Sequence, residues 1–144
     1  MLKTVSVLGF GLMGVGLVGL LIGKTLLTQG PLGITAQGAA AVLMIWARIT
    51  FGRRSFHAAA DPTAGELVTS GPYAFFRHPI YTAVCLFCLA GALTYRTPAA
   101  FGWLVLVFAG AIGRMLCEET LLRARYPEYA SYARRTARMV PFLF

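Results

Sequence analysis

Residues 4–23, TVSVLGFGLMGVGLVGLLIG, run without a Lys, Arg, Asp or Glu, and a helix crossing the roughly 30 Å hydrocarbon layer of a bilayer needs about 20 such residues. Three more stretches share that character: Thr25 to Ala47, His78 to Tyr95 and Thr97 to Gly113. The last two are short and reach span length by beginning or ending among the headgroups. Apolar residues in all four are continuous instead of alternating, which selects helices over a transmembrane barrel. The expectation is an all-α, integral membrane four-helix bundle forming one domain over residues 1–144, with spans near 4–23, 33–49, 79–95 and 97–114.

Composition agrees with a membrane protein. Of 144 residues 58% are hydrophobic, mean hydropathy is +0.70, and charge comes from only 13 Lys and Arg and 5 Asp and Glu. On a four-span path Lys3, Arg48, Arg53, Arg54, Arg77, Arg114, Arg123, Arg125, Arg134, Arg135 and Arg138 fall on one side, and only Lys24 and Arg96 on the other. The expectation is an inner-membrane protein, which the positive-inside rule orients with both termini cytoplasmic. The net charge of +8 follows from that topology and from contact with anionic membrane lipids. A nucleic-acid partner is set aside, because no aromatic-interleaved basic platform lies outside the apolar runs.

Lys3 ahead of an apolar run imitates a secretory signal, but the run exceeds the roughly 7–15 residues of a signal core and leads into a second one. Cys85 and Cys88, one turn apart, and the single Cys117 read as packing residues, and no metal site is expected. Gly9, Gly16 and Gly23 recur every seven residues, with Gly19 four before Gly23. Such a stripe lets a neighbouring helix come close, within the monomer or across a homodimer.

The longest polar stretch is the expected cytoplasmic loop 50–78, which contains Asp61, Glu66 and the Gly71-Pro72 turn. Connectors of that length in compact domains are usually functional or disordered, and Leu67 and Val68 give this one apolar anchors. After the fourth span, Leu121, Leu122, Arg125, Tyr126, Tyr129 and Tyr132 recur at roughly helical intervals. They predict a C-terminal cytoplasmic interfacial helix over 118–138.

Residues able to do chemistry collect in two places. Arg77-His78-Pro79-Ile80-Tyr81 sets a guanidinium, an imidazole and a phenol at the mouth of the third run. Unpaired donors are costly at that depth, so groups kept there are kept for use. Glu118 and Glu119 follow the fourth run, with Glu118 four residues beyond Arg114. On a helix that spacing puts Arg114 and Glu118 on one face, where they either satisfy each other or divide a bound zwitterion between them.

Taken in order, Leu67-Val68-Thr69-Ser70-Gly71-Pro72-Tyr73, then Arg77 to Tyr81, then Glu118-Glu119 with Leu122, Tyr126, Tyr129, Tyr132 and Pro141, resemble the isoprenylcysteine carboxyl methyltransferase family and its bacterial relatives. The resemblance covers Gly65 to Pro141. It implies S-adenosylmethionine as cofactor, bound between membrane helices and cytoplasm without a Rossmann domain; no G-x-G-x-x-G follows a strand, the pattern at Gly9–Gly14 and Gly14–Gly19 lying inside the first apolar run. It also implies roles. Leu67, Val68 and Tyr73 would line the adenosine pocket; Arg77, His78, Pro79, Ile80 and Tyr81 would hold the methionine and ribose portions; Glu118 would face the cofactor. Arg114 would meet the acceptor's reacting group, a carboxylate in the eukaryotic enzymes. His78 or Glu119 would be the base for a phenolic acceptor. The chain departs from the family pattern at Ala83 and Pro127, where glycine is usual, and at Gly65-Glu66, where a His-containing pair is more typical.

Methyl transfer from a sulfonium asks the protein mainly for alignment and exclusion of water, and a carboxylate acceptor needs no base. A lipophilic small-molecule acceptor would enter sideways from the bilayer and the cofactor from the cytoplasm. Two other readings stay open. Membrane sterol reductases share a similar tyrosine and arginine pattern but bind NADPH, whose phosphate Arg134, Arg135 and Arg138 could meet. The other is a non-catalytic membrane subunit or carrier. Proton-coupled exporters usually carry an acid inside a span, whereas Asp61, Glu66, Glu118, Glu119 and Glu128 all lie outside the four runs.

Overall fold

The computed structural model describes residues 2–52 and 67–139. Residues 53–66 of the expected 50–78 loop, Asp61 and Glu66 among them, lie outside the described residues, as does Pro141. The described residues form helices α1 (Leu2–Ile22), α2 (Pro31–Phe51), α3 (Pro79–Tyr95), α4 (Pro98–Arg125) and α5 (Tyr129–Arg135), with a 3₁₀ turn at Gly71–Ala74. They include no strand, only an isolated parallel bridge between Phe76 and Ala137. Helices α1, α2 and α4 are long and apolar enough to cross a membrane. Helix α3 has 17 residues, about 25 Å at ~1.5 Å per residue.

Local chemistry sets most of the boundaries. Pro31, Pro79 and Pro98 open α2, α3 and α4, where a fixed φ and a missing N–H suit the first turn. Arg96 ends α3 in the left-handed region, at φ 52°. The next residue, Thr97, caps α4 by accepting the Ala100 N–H at 3.2 Å.

The fourth helix differs from expectation. Instead of a span ending near residue 114 and a separate helix over 118–138, α4 runs unbroken through Glu118 and Glu119 to Arg125, and α5 is a short element of its own. Polarity at a bilayer boundary does not interrupt a backbone, and residues 114–125 are mostly good helix formers with no glycine or proline. The first breaker is Pro127, which holds the preceding Tyr126 in extended geometry at φ −115°, ψ 108°.

Side by side the helices run α2, α3, α4, α1. Helix α1 packs along α4, α2 along α3, and α3 against α4, while α1 and α2 do not pack on each other. The anticipated close approach of α1 occurs within the chain. A Cβ at Gly9 would stand 2.9 Å from the Gly110 oxygen and one at Gly16 2.7 Å from the Trp103 oxygen, while one at Gly19 would strike the Trp103 ring. Gly23 instead faces its own helix.

Because α1 and α2 are apart, their connection crosses the far end of α3. Gln37 holds it there: Nε2 donates to the oxygens of Leu26 (2.7 Å) and Phe87 (3.1 Å), and Oε1 accepts the Thr28 N–H (3.2 Å). Tyr95 donates to the Leu27 oxygen at 2.9 Å, and the Thr28 and Thr94 hydroxyls meet at 2.6 Å. Gln37→Leu keeps the bulk and strands these partners at a largely buried position. It is expected to cost about 1–3 kcal/mol, read as a lowered melting temperature in detergent.

Candidate functional site

The polar cluster lies where α3 begins and α4 nears its end. His78 precedes Pro79 and is therefore held out of helical geometry, at φ −128°. Its freed N–H donates to the Arg138 oxygen at 3.1 Å, beside the Arg77 N–H to Ala137 oxygen bond at 2.7 Å. The segment 136–139 is thus laid against residues 75–78. Thr82 ties the two together, donating through Oγ1 toward the oxygens of both His78 and Met139 at 3.1 Å.

Two adjacent glutamates divide the side chains into two groups. Glu118 Oε1 accepts the Tyr81 hydroxyl at 2.6 Å and Arg114 Nε at 3.1 Å, and Arg114 Nε also donates to the Tyr81 oxygen. The Arg114 guanidinium lies 5.2 Å from the centre of the Phe10 ring on α1. Glu119 collects cations. Its Oε1 accepts Arg77 Nε at 3.0 Å and Arg138 Nε at 3.2 Å, its Oε2 lies 3.3 Å from Arg138 Nε, and Arg123 stands 3.9 Å away. Arg77 reaches further, donating through Nη1 to the oxygens of Ala133 (2.8 Å) and Thr136. His78 lies between the acids, with Nε2 3.4 Å from Glu119 and Nδ1 3.7 Å from Glu118.

Burial separates the two acids. The side chain of Glu118 is 24% exposed and that of Glu119 only 5%. Burying a carboxylate is tolerable only with several charge-assisted partners, which Glu119 has. Glu118 remains reachable by a ligand.

Of the residues anticipated from sequence, the fold brings Arg77, His78, Tyr81, Arg114, Glu118 and Glu119 into one connected network. Pro79 is buried as the first residue of α3, and Ile80 is half-buried beside it. Leu67 and Val68 are half-buried ahead of the 3₁₀ turn and, being apolar, stand outside the network. Tyr73 lies between α2 and α5: its ring is 5.4 Å from that of Phe51, and its carbonyl accepts the Tyr132 hydroxyl at 2.7 Å. Gly71 makes this packing possible. Its φ is +57°, and a Cβ there would be 2.6 Å from the Thr50 hydroxyl.

Burial pushes the Tyr132 phenol up to about 12, so it stays a donor at physiological pH. Raised above an unfolded value of about 10, it contributes stability that is complete below pH ~10 and lost as pH climbs through the folded value. Tyr132→Phe leaves the Tyr73 carbonyl without this donor and is expected to cost about 1–2 kcal/mol, measured as a shifted unfolding midpoint at neutral pH.

Two participants were missed in the sequence. Phe10 beneath Arg114 carries no local signal, since α1 offers many exposed apolar side chains. Arg138 was read as a cation of a basic run and a candidate for a phosphate, not as a partner of Glu119. The available hint was that an acid as enclosed as Glu119 needs several cations, but the sequence does not say which.

A family model described as phospholipid methyltransferase matches residues 28–129. The chain is 35% identical over 124 residues to the cobalt-zinc-cadmium resistance protein CzcN of Cupriavidus metallidurans, a match covering 85% of this chain and 52% of that protein. It is 38% identical over 127 residues to the nickel-cobalt-cadmium resistance protein NccN of Alcaligenes xylosoxydans xylosoxydans, covering 85% and 53%. The chain spans about half the length of the curated relatives it matches. No solved structure gives a significant match.

Proposed function

The chain belongs to the phospholipid methyltransferase family, and from that premise we propose that it uses S-adenosylmethionine to methylate a small lipophilic acceptor at the membrane surface. The observation that carries this reading is the network joining His78, Tyr81, Arg114 and Glu118 at one end of apolar helices, where a water-soluble donor and a lipid-soluble acceptor can meet. On this reading that end and both termini face the cytoplasm of the inner membrane, in keeping with the distribution of cations.

The residues suit such a cofactor. Glu118, the reachable carboxylate, is an acceptor for an ammonium or for ribose hydroxyls, and His78 and Tyr81 flank it within one turn of α3. When bound, the cofactor supplies a methyl group already activated by a positive sulfur. The protein's share is geometry: the Tyr81–Arg114–Glu118 bonds fix three polar groups relative to one another, and the apolar walls of α1, α3 and α4 keep water away. Arg114 lies over the ring of Phe10, an exposed apolar residue of α1, which suits it to an acidic acceptor such as a lipid carboxylate. A phenolic lipid would instead need a proton acceptor, and His78 lies beside Glu118 for that task. Against an NADPH-dependent reductase, Arg138, one of three cations suited to a phosphate, is held on Glu119.

Calorimetric titration of the detergent-solubilised protein tests the reading. The wild-type chain is expected to bind S-adenosylmethionine and not NADPH, and Glu118→Ala and His78→Ala to abolish that binding while helical circular dichroism is retained. Unchanged affinity in both variants refutes the site. Failure of wild type to bind, or to pass a labelled methyl group to a lipid extract, refutes the activity.

A further inference from the structure

We infer that Glu119 and Arg138 act as positioning residues for His78, so that two neighbouring glutamates of identical chemistry do different work. Glu118 meets the ligand; Glu119 holds the ring that stands next to it. The inference rests on the proposed cofactor and goes beyond it by removing Glu119 from the candidate bases.

The geometry behind this is a double grip on one residue. Arg138 takes the His78 main chain through its carbonyl oxygen at 3.1 Å. Its guanidinium takes Glu119 at 3.2 and 3.3 Å, and Glu119 in turn faces His78 Nε2 at 3.4 Å. Arg77, adjacent to His78 in sequence, fastens the same carboxylate at 3.0 Å. An ionised carboxylate only accepts, so the Nε2 facing it carries the proton. With that nitrogen committed, the ring plane is set and Nδ1 is directed toward Glu118. A carboxylate 5% exposed and accepting from two guanidinium groups is poorly placed to take a proton from a substrate. It is well placed to orient an imidazole, as buried carboxylates do for histidines in other sites.

The chain has two histidines, His57 and His78, so nitrogen-15 histidine NMR of the detergent-solubilised protein is simple to assign with a His57→Asn variant. Wild type is expected to show a downfield Hε2 signal from His78 that is kept in Glu118→Gln and lost in both Glu119→Gln and Arg138→Gln. In the same two variants the dissociation constant for S-adenosylmethionine is expected to rise on the order of tenfold, the usual scale for a lost orienting contact, with helical circular dichroism unchanged. Three results overturn the inference: no such signal in wild type, a signal that persists in Glu119→Gln and Arg138→Gln, or affinities within twofold of wild type when the signal is gone. If wild type binds no S-adenosylmethionine, the functional reading fails separately, and the NMR comparison still decides whether these two residues hold the ring.

Discussion

Gly91→Ala is expected to prevent stable folding. The side chain would enter the space occupied by the carbonyl oxygens of Leu26 and Thr25, where the α1–α2 connection crosses α3. Those are backbone atoms, and they are held by Gln37, Tyr95 and the Thr28–Thr94 pair, so they cannot swing aside as a flexible side chain would. Overpacking of a well-packed interior costs about 1–3 kcal/mol and sometimes more. Here the connection must lift away, forfeiting several hydrogen bonds worth about 1 kcal/mol each, for a combined loss on the order of 5 kcal/mol. Gly102→Ala is the control. It has the same chemistry in α4 but open space around the added carbon, and it should be neutral or slightly stabilising, since alanine exceeds glycine in helix propensity by about 1 kcal/mol. The measurement is the yield of monodisperse protein and its melting temperature in detergent. Equal behaviour of the two variants would show that the crossing is not tightly packed.

Arg77→Met should cost nearly as much, by another route. Arg77 donates to Glu119 and to the oxygens of Ala133 and Thr136, joining α4, α5 and the segment that follows. Removing one member of a buried ion pair leaves the other poorly compensated, at a cost of about 3–5 kcal/mol. Arg138 and His78 remain beside Glu119, so the lower end applies. Lysine is expected to rescue little, since one ammonium cannot match the divergent bonds of a guanidinium fork. Hydrogen exchange should locate the damage, with faster exchange at the Ala137 amide, which donates to the Phe75 oxygen, and little change in α1 and α2. Uniform acceleration across the protein would contradict this account.

The sequence made the apolar helices plain because hydrophobic length is written locally, although the second was expected from residue 33 and opens at Pro31. The i, i+4 relation of Arg114 and Glu118 was equally legible, being fixed by helical geometry alone. What escaped is non-local. The pairing of residues 75–78 with 136–139 depends on a turn of chain through α5, and nothing near Arg138 distinguishes it from Arg134 or Arg135. The lateral order of the helices was hidden for the same reason: apolar faces in lipid carry little directional pattern, and small residues such as Gly9, Gly16 and Gly110 announce a close contact without naming its partner. The length of α4 was misjudged because charge was taken as a boundary, although only Pro127 has the stereochemistry to impose one.

The lateral arrangement bears on how the protein is made. In synthesis α1 precedes its mate α4 by two helices, and α2 must wait for α3. Until α4 is made, the glycine-lined flank of α1 lacks the helix it packs against. A ribosome-nascent chain stalled after residue 95 should therefore present that flank to the insertion machinery, and site-specific crosslinks from Gly16 to the insertase should vanish only once α4 has entered the bilayer.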